Sequence, residues 1–211
     1  MRSSRLFYLF FILLSISLLR GIAVAKEENR MPEQGAPVAG KKALFIIAHQ
    51  DFRDEEFAQP RDALEKRGVQ VTIASSSLKK AKGMLGMTVQ PEILLDQVKV
   101  ARYDLVVFVG GAGSSEYWEN AKAHQIAQTA VEEKKIVAAI CIATVTLANA
   151  GVLKGRKATV FSSPEEIKQI KAKGAIYTGK PVERDGRIIT ASGPEAAHSF
   201  AESLIQALQG Q

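Results

Sequence analysis

One residue in this 211-residue chain could do covalent chemistry by itself: Cys141, the only cysteine. It follows the apolar run Ile136 to Ile140 (IVAAI) and precedes a stretch rich in helix formers, so a buried strand turns into a helix at the thiol. Such a junction brings partial positive charge and unpaired backbone N–H groups to the sulfur, which favours thiolate. Ala138, Ala139 and Ala143 are small enough for a tight turn to pack there. Free cysteine is also among the most buried residue types, so a structural thiol and a nucleophile both stay open on these residues. A second segment, Gly110-Gly111-Ala112-Gly113, closes another apolar run. It reads as a tight turn, as a phosphate loop lacking the Gly-x-Gly-x-x-Gly and Walker spacings, or as an oxyanion hole working with the N–H after the cysteine. A third, Arg53-Asp54-Glu55-Glu56, opens a helical stretch. Acids suit the positive end of a helix, and one turned inward would reach Cys141.

The elements that must carry these groups alternate. Strand-like runs cover 43–48, 69–74, 105–109, 136–140 and 158–161, and helical stretches cover 54–67, 119–133, 142–150, 164–173 and 194–208. Residues 75–90, with Gly83 and Gly86, read as loop with a short hairpin, and 91–98 as a short helix. "VERDGRIITAS" reads as a hairpin turning at Asp185-Gly186. Near-continuous apolar strands between helices imply an α/β fold, a mostly parallel sheet covered on both faces. Ligands of such sheets bind beyond the carboxyl ends of the strands, where 49–56, 110–115 and Cys141 all fall.

The first residues answer to targeting. Arg2 and Arg5 precede the apolar run Leu6 to Leu19, and Ala23-Val24-Ala25 is a small-x-small cleavage pattern before Lys26. Residues 1–25 read as a secretory signal, with an uncleaved anchor as the alternative and a membrane engaged only through that segment. The run is shorter than the roughly 20 residues a span takes. Removing 25 residues from 211 leaves 186, enough for one domain, and three arginines leave with them, so the formal charge falls from +6 to +3. That balance, without a basic block interleaved with aromatics, argues against nucleic acid. A single cysteine in an exported chain, periplasmic or secreted, cannot form an internal disulfide. Residues 26–40, polar with Pro and Gly, read as a flexible linker to a domain over 41–211.

Four segments in order resemble the ThiJ/PfpI superfamily of protein deglycases, class III glyoxalases and PfpI-type peptidases. They are "ALFIIA…FRDEEFAQPRDALEKRGVQVTIAS", "YDLVVFVGGAG", "IVAAICIATVTLANAGVLKGRKATVF" and "VERDGRIITASGPEAAHSFAESLIQAL". The resemblance implies a three-layer, flavodoxin-like sandwich of the class I glutamine amidotransferase kind, usually a homodimer. It places Cys141 at the nucleophile, Glu56 at the carboxyl that touches it, and the Gly111 and Ile142 N–H groups at the oxyanion. No metal or cofactor is implied. Two departures stand out. The position after the nucleophile, histidine in peptidase-like and amidotransferase-like relatives, is Ile142, and a later strand end that carries histidine in some relatives reads Phe161-Ser162-Ser163. Thr144 stands where proline is frequent.

Of three histidines, His124 reads as solvated, His198 as packing or surface, and His49 as the one substitute base. The expected function is attack of thiolate on a small electrophilic carbonyl with Glu56 moving the proton. The alternative is a redox sensor or chaperone in which Cys141 oxidises without turnover, and a cysteine peptidase ranks below both. The helix terminus and the Ile142 N–H should keep charge on sulfur and the proton on Glu56, drawing the thiol well below its free pKa of about 8.5. Because the leader ends in Ala-Val-Ala, mature protein should begin at Lys26 outside the cytoplasm. Intact-mass measurement on fractionated cells checks this, and a soluble cytoplasmic species retaining Met1 contradicts it.

Overall fold

The computed structural model describes residues 37–210, so the leader and most of the 26–40 linker lie outside the described residues. In chain order the strands are β1 Lys42–Ile46, β2 Gln50–Phe52, β3 Gln70–Ser75, β4 Ala81–Gly83, β5 Thr88–Val89, β6 Ile93–Leu94, β7 Leu105–Phe108, β8 Ile136–Ile140, β9 Lys157–Ala158, β10 Ile176–Tyr177, β11 Val182–Asp185 and β12 Ile188–Ala191. The helices are α1 Asp54–Glu65, α2 Ala121–Glu132, α3 Thr144–Asn149, α4 Pro164–Ala172 and α5 Ala197–Leu208. Seven strands form the main sheet in the order β11-β12-β8-β7-β1-β3-β6, parallel throughout except for the β11–β12 hairpin.

Period-2 alternation divides the strands between two cores. Ala43, Phe45, Leu105, Val107, Ala138 and Ile140 face the layer of α1 and α5, while Leu44, Ile46, Val106, Phe108, Val137 and Ala139 face α2 and α3. This is the three-layer sandwich that near-continuous apolar strands require. The order of strand addition reverses between β1 and β7: the path runs outward from β1 to β3 and β6, then returns to β7 and β8. The carboxyl ends of β1, β7 and β8 are therefore adjacent, at the crevice that such a switch opens.

Several elements differ from their sequence reading. Val38, read as linker, is buried in the core at 4% exposure, and Gly40 N–H donates to Gly68 O at 3.0 Å, so the domain begins before residue 41. The 91–98 stretch is not a helix: β6 pairs with β3, and only Leu95–Gln97 coils into a 3-10 turn. Pro91 disfavours helix at the residue before it, and Glu92 is recruited instead to the β3 edge, where its Oε1 accepts from Ile73 N–H at 3.0 Å. Of the 158–161 run only Ala158 is in a strand, the two-residue β9 paired with β10 outside the main sheet. Residues 75–90 hold the hairpin β4–β5, with β2 added in parallel beside β4.

Phe57 anchors α1 to the sheet. It is fully buried and edge-on to both Phe45 (6.1 Å between centroids) and Phe52 (5.6 Å). Phe57→Ala should cost about 3–5 kcal/mol of stability. Urea unfolding checks this, and a loss below 1 kcal/mol (, the scale of a tolerated swap) would show that α1 is held by other contacts.

Candidate active site at the carboxyl ends of the central strands

Cys141 is the first residue after β8 and starts a 3-10 turn, Cys141–Ala143, that leads into α3. Its φ is +62°, left-handed for a residue with a side chain, a conformation that costs of order 1–3 kcal/mol and persists only where surroundings impose it. Those surroundings are identifiable. Trp118 Nε1 donates to Ile142 O at 3.0 Å. The Trp118 carbonyl in turn accepts from Asn149 Nδ2 at 2.9 Å and from His124 Nε2 at 2.7 Å. His124 is thus not a solvated surface group. It supports the indole that pins the turn behind the thiol.

The three acids of "RDEE" do three different things. Asp54 accepts the backbone N–H groups of Leu85 (2.9 Å) and Met87 (2.8 Å), which hangs the β4–β5 hairpin from the start of α1. Glu55 pairs with Arg53. Glu56 turns inward, is wholly buried, and lies against Cys141 across Gly110. A Cβ at Gly110 would collide with Glu56 Oε2 and stand 2.5 Å from Cys141 Cβ, so glycine at 110 is what lets carboxyl and thiol approach. Gly111, at φ +101°, packs its bare Cα against Asp51 O and Arg53 N. Arg53 N–H also donates to Gly110 O at 2.9 Å, which locks the head of α1 to the end of β7.

The electrostatics of the pair follow from burial. Burial pushes the Glu56 carboxyl up to about 8 and the Cys141 thiol, further raised by the carboxyl's charge, up to about 12. The Gly111 and Ile142 N–H groups work the other way, holding the thiol down. Neither carboxyl oxygen of Glu56 completes a well-aligned hydrogen bond, and the nearby thiol, Arg53 and Gly110 N–H offset burial only in part. The expected low thiol pKa is therefore corrected: desolvation outweighs two backbone donors. The carboxyl is therefore the stronger acid of the pair, and the first proton leaves from Glu56 while the thiol stays protonated. The two N–H groups stand ready to stabilise charge on sulfur when the thiol's own proton is taken.

Each residue proposed from the sequence (Cys141, Glu56, Gly111 and Ile142) is at this one crevice, which encloses a cavity of about 280 Å³. Arg53, Met84, Phe161, Ser163 and Glu166 also line it, and sequence reasoning missed all five. Arg53 carried a signal through its place beside the acids, and Phe161 and Ser163 through the strand end where some relatives carry histidine. No histidine lines the cavity among the described residues. His49 lies beside Glu116, whose carboxylate accepts its backbone N–H at 3.2 Å, and its Nδ1 is buried without a partner. His198 is exposed on α5.

The pattern of the DJ-1/PfpI family matches residues 41–207, nearly the whole described domain. The chain belongs to the DJ-1/PfpI family. An uncharacterised protein of Methanocaldococcus jannaschii is 36% identical over 94% of this chain and 95% of its own length. The deglycase PfpI of Pyrococcus furiosus is 31% identical over 80% of this chain and 99% of its own. Among solved structures, a ThiJ/PfpI domain protein from Brachyspira murdochii superposes with a TM-score of 0.78 at 29% identity, covering 82% of this chain and 99% of that one. The DJ-1/PfpI fold is thus the flavodoxin-like, mostly parallel sandwich expected from the sequence.

Glu56 carries a sign-definite test. Its folded pKa is raised from the usual 4.5 to about 8, so between those values the folded protein binds the proton more tightly than the unfolded chain. Stability from this group is complete below pH 4.5 and is lost as pH rises through 8. Urea midpoints at pH 5 and pH 8 (about the two ends of that range) should fall on going up in wild type and stay flatter in Glu56→Gln. Parallel curves would mean that Glu56 is ionised when folded.

Proposed function

We propose that this protein uses Cys141 as a nucleophile toward small reactive carbonyl compounds, as a deglycase- or glyoxalase-like hydrolase or lyase, in an exported mature form. The observation that carries the reading is the left-handed Cys141 held against the buried, unsatisfied carboxyl of Glu56 inside a small cavity. A family relative named as a deglycase adds support.

The chemistry follows from the residues. Once the pair has released one proton, the Glu56 carboxylate takes the thiol proton as sulfur attacks the carbonyl carbon, and the carbonyl electron pair moves to oxygen. The Gly111 and Ile142 N–H groups face that developing charge, the kind of preorganised donor pair that stabilises an oxyanion. The proton held by Glu56 passes to the oxygen, and the carboxylate then serves as base for the next transfer. Burial, which raises the carboxyl's pKa to about 8, makes it a stronger base for that transfer than an ordinary carboxylate. A redox sensor is the second reading. It is favoured by the same protonated carboxyl, a ready donor to a sulfinate oxygen on Cys141. A peptidase is disfavoured because no histidine lines the cavity among the described residues.

Methylglyoxal consumption by purified protein is the test. Cys141→Ser should abolish turnover, and Glu56→Gln should lower kcat at least about a hundredfold, the usual worth of a placed acid/base. Unfolded casein should survive incubation. Consumption no faster than in Cys141→Ser across a panel of aldehydes would leave the sensor reading in its place.

A further inference from the structure

One charged side chain at the cavity has no part in this chemistry. Arg53 is placed firmly: its N–H is bonded to Gly110 O, and Gly111 packs beneath its backbone. Arg53 lines the cavity, and its guanidinium is close enough to be influenced by Glu56 and Cys141. Its counterion is Glu55, bound through Nε at 2.8 Å and Nη2 at 3.1 Å. The two side chains remain 28% and 33% exposed, and pairs at that exposure contribute little, so an entering anion competes with Glu55 for the guanidinium. Two other acids face the cavity. Glu56 is held neutral by burial below its raised pKa of about 8. Glu166 is on the opposite lip, its Oε2 engaged by the Ser163 hydroxyl at the head of α4. Arg53 is the one cation among the lining residues, and Ala112, Ile142, Phe161 and Pro194 supply apolar walls.

We propose that Arg53 is a specificity-determining residue that selects electrophiles carrying a carboxylate beside the reacting carbon, so that the favoured carbonyl substrates are small α-oxo acids of the size of glyoxylate. The substrate class rests on the reading of Cys141 as a carbonyl nucleophile. The charge selection does not. In the step concerned, the S–H proton passes to Glu56 as a carbon–sulfur bond forms, the carbonyl π pair moves to oxygen, and Glu56 returns that proton to make it a hydroxyl. The carboxylate stays intact and lies under Arg53.

Two alkylating agents with the same reacting carbon test this without turnover: iodoacetate, which is anionic, and iodoacetamide, which is neutral. In both, sulfur displaces iodide, so the ratio of their rates cancels the reactivity of the thiol. In wild type the iodoacetate-to-iodoacetamide ratio should exceed that of glutathione at the same pH by about fivefold, the worth of a partly exposed charge. Arg53→Gln should bring it down to the glutathione value, Arg53→Lys should retain most of it, and Glu55→Gln should raise it by freeing the guanidinium. High salt should lower it. A misfolded variant would expose the thiol and raise both rates together, and Arg53→Lys and Glu55→Gln then decide. A wild-type ratio equal to that of glutathione and unmoved by Arg53→Gln overturns the proposal, even if methylglyoxal is consumed. An elevated ratio that collapses in Arg53→Gln upholds charge selection, even if no aldehyde is turned over, and the failure then belongs to the proposed reaction.

Discussion

The close approach of one carboxyl to one thiol across a glycine organises this molecule. Without a side chain at residue 110, Glu56 and Cys141 meet in a space that excludes water, and both are driven toward their protonated forms. That is an expensive arrangement. A fully buried carboxyl without a well-aligned partner and a left-handed cysteine each act against folding, by about 1–3 kcal/mol apiece on general grounds. Such strain survives because the sandwich around it is over-determined, with two apolar cores clamping the central strands from either side.

The geometry behind that approach comes from three separate places in the chain. The sheet brings the ends of β7 and β8 side by side, and the crossover from β1 sends α1 over them. The bond from Arg53 N–H to Gly110 O sets the height of the helix head, and Phe57 holds its underside. On the other side, Trp118, His124 and Asn149 fasten the turn that presents the sulfur. The thiol is thus positioned from behind by a polar chain and from above by an acid. The cavity side is left to Phe161, Met84 and Arg53.

Much of this was legible in the sequence. Strand-length apolar runs separated by helical stretches gave the layers. The terminal hairpin is present, though it turns at Gly186-Arg187, one residue beyond the expected Asp185-Gly186, because Asp185 pairs with Ile188. The site residues stood at strand ends, where topology places ligands, and the order of four segments tied them together. What could not be read depended on packing. The segment 91–98 balances helix against edge pairing, and only the neighbouring β3 edge decides it. His124 looks polar among polar neighbours, and its role exists only once Trp118 is folded against it. The thiol pKa was misjudged because the helix-terminus N–H groups are visible in a sequence, whereas the depth of burial that outweighs them is not.

Asp54 has an effect on how this site can vary between relatives. Its two oxygens hold the β4–β5 hairpin through backbone N–H groups of Leu85 and Met87, not through their side chains. Any residue except proline at those two positions preserves the hold. Met84 lines the cavity and Leu85 is 62% exposed, so the rim of the crevice is built from side chains on which its own attachment does not depend. The helix that begins with Asp54 also carries Glu56, so rim and acid move as one body while the chemistry of the rim is free to change. A lineage can alter what enters the crevice by substituting along this hairpin and leave the carboxyl–thiol distance untouched.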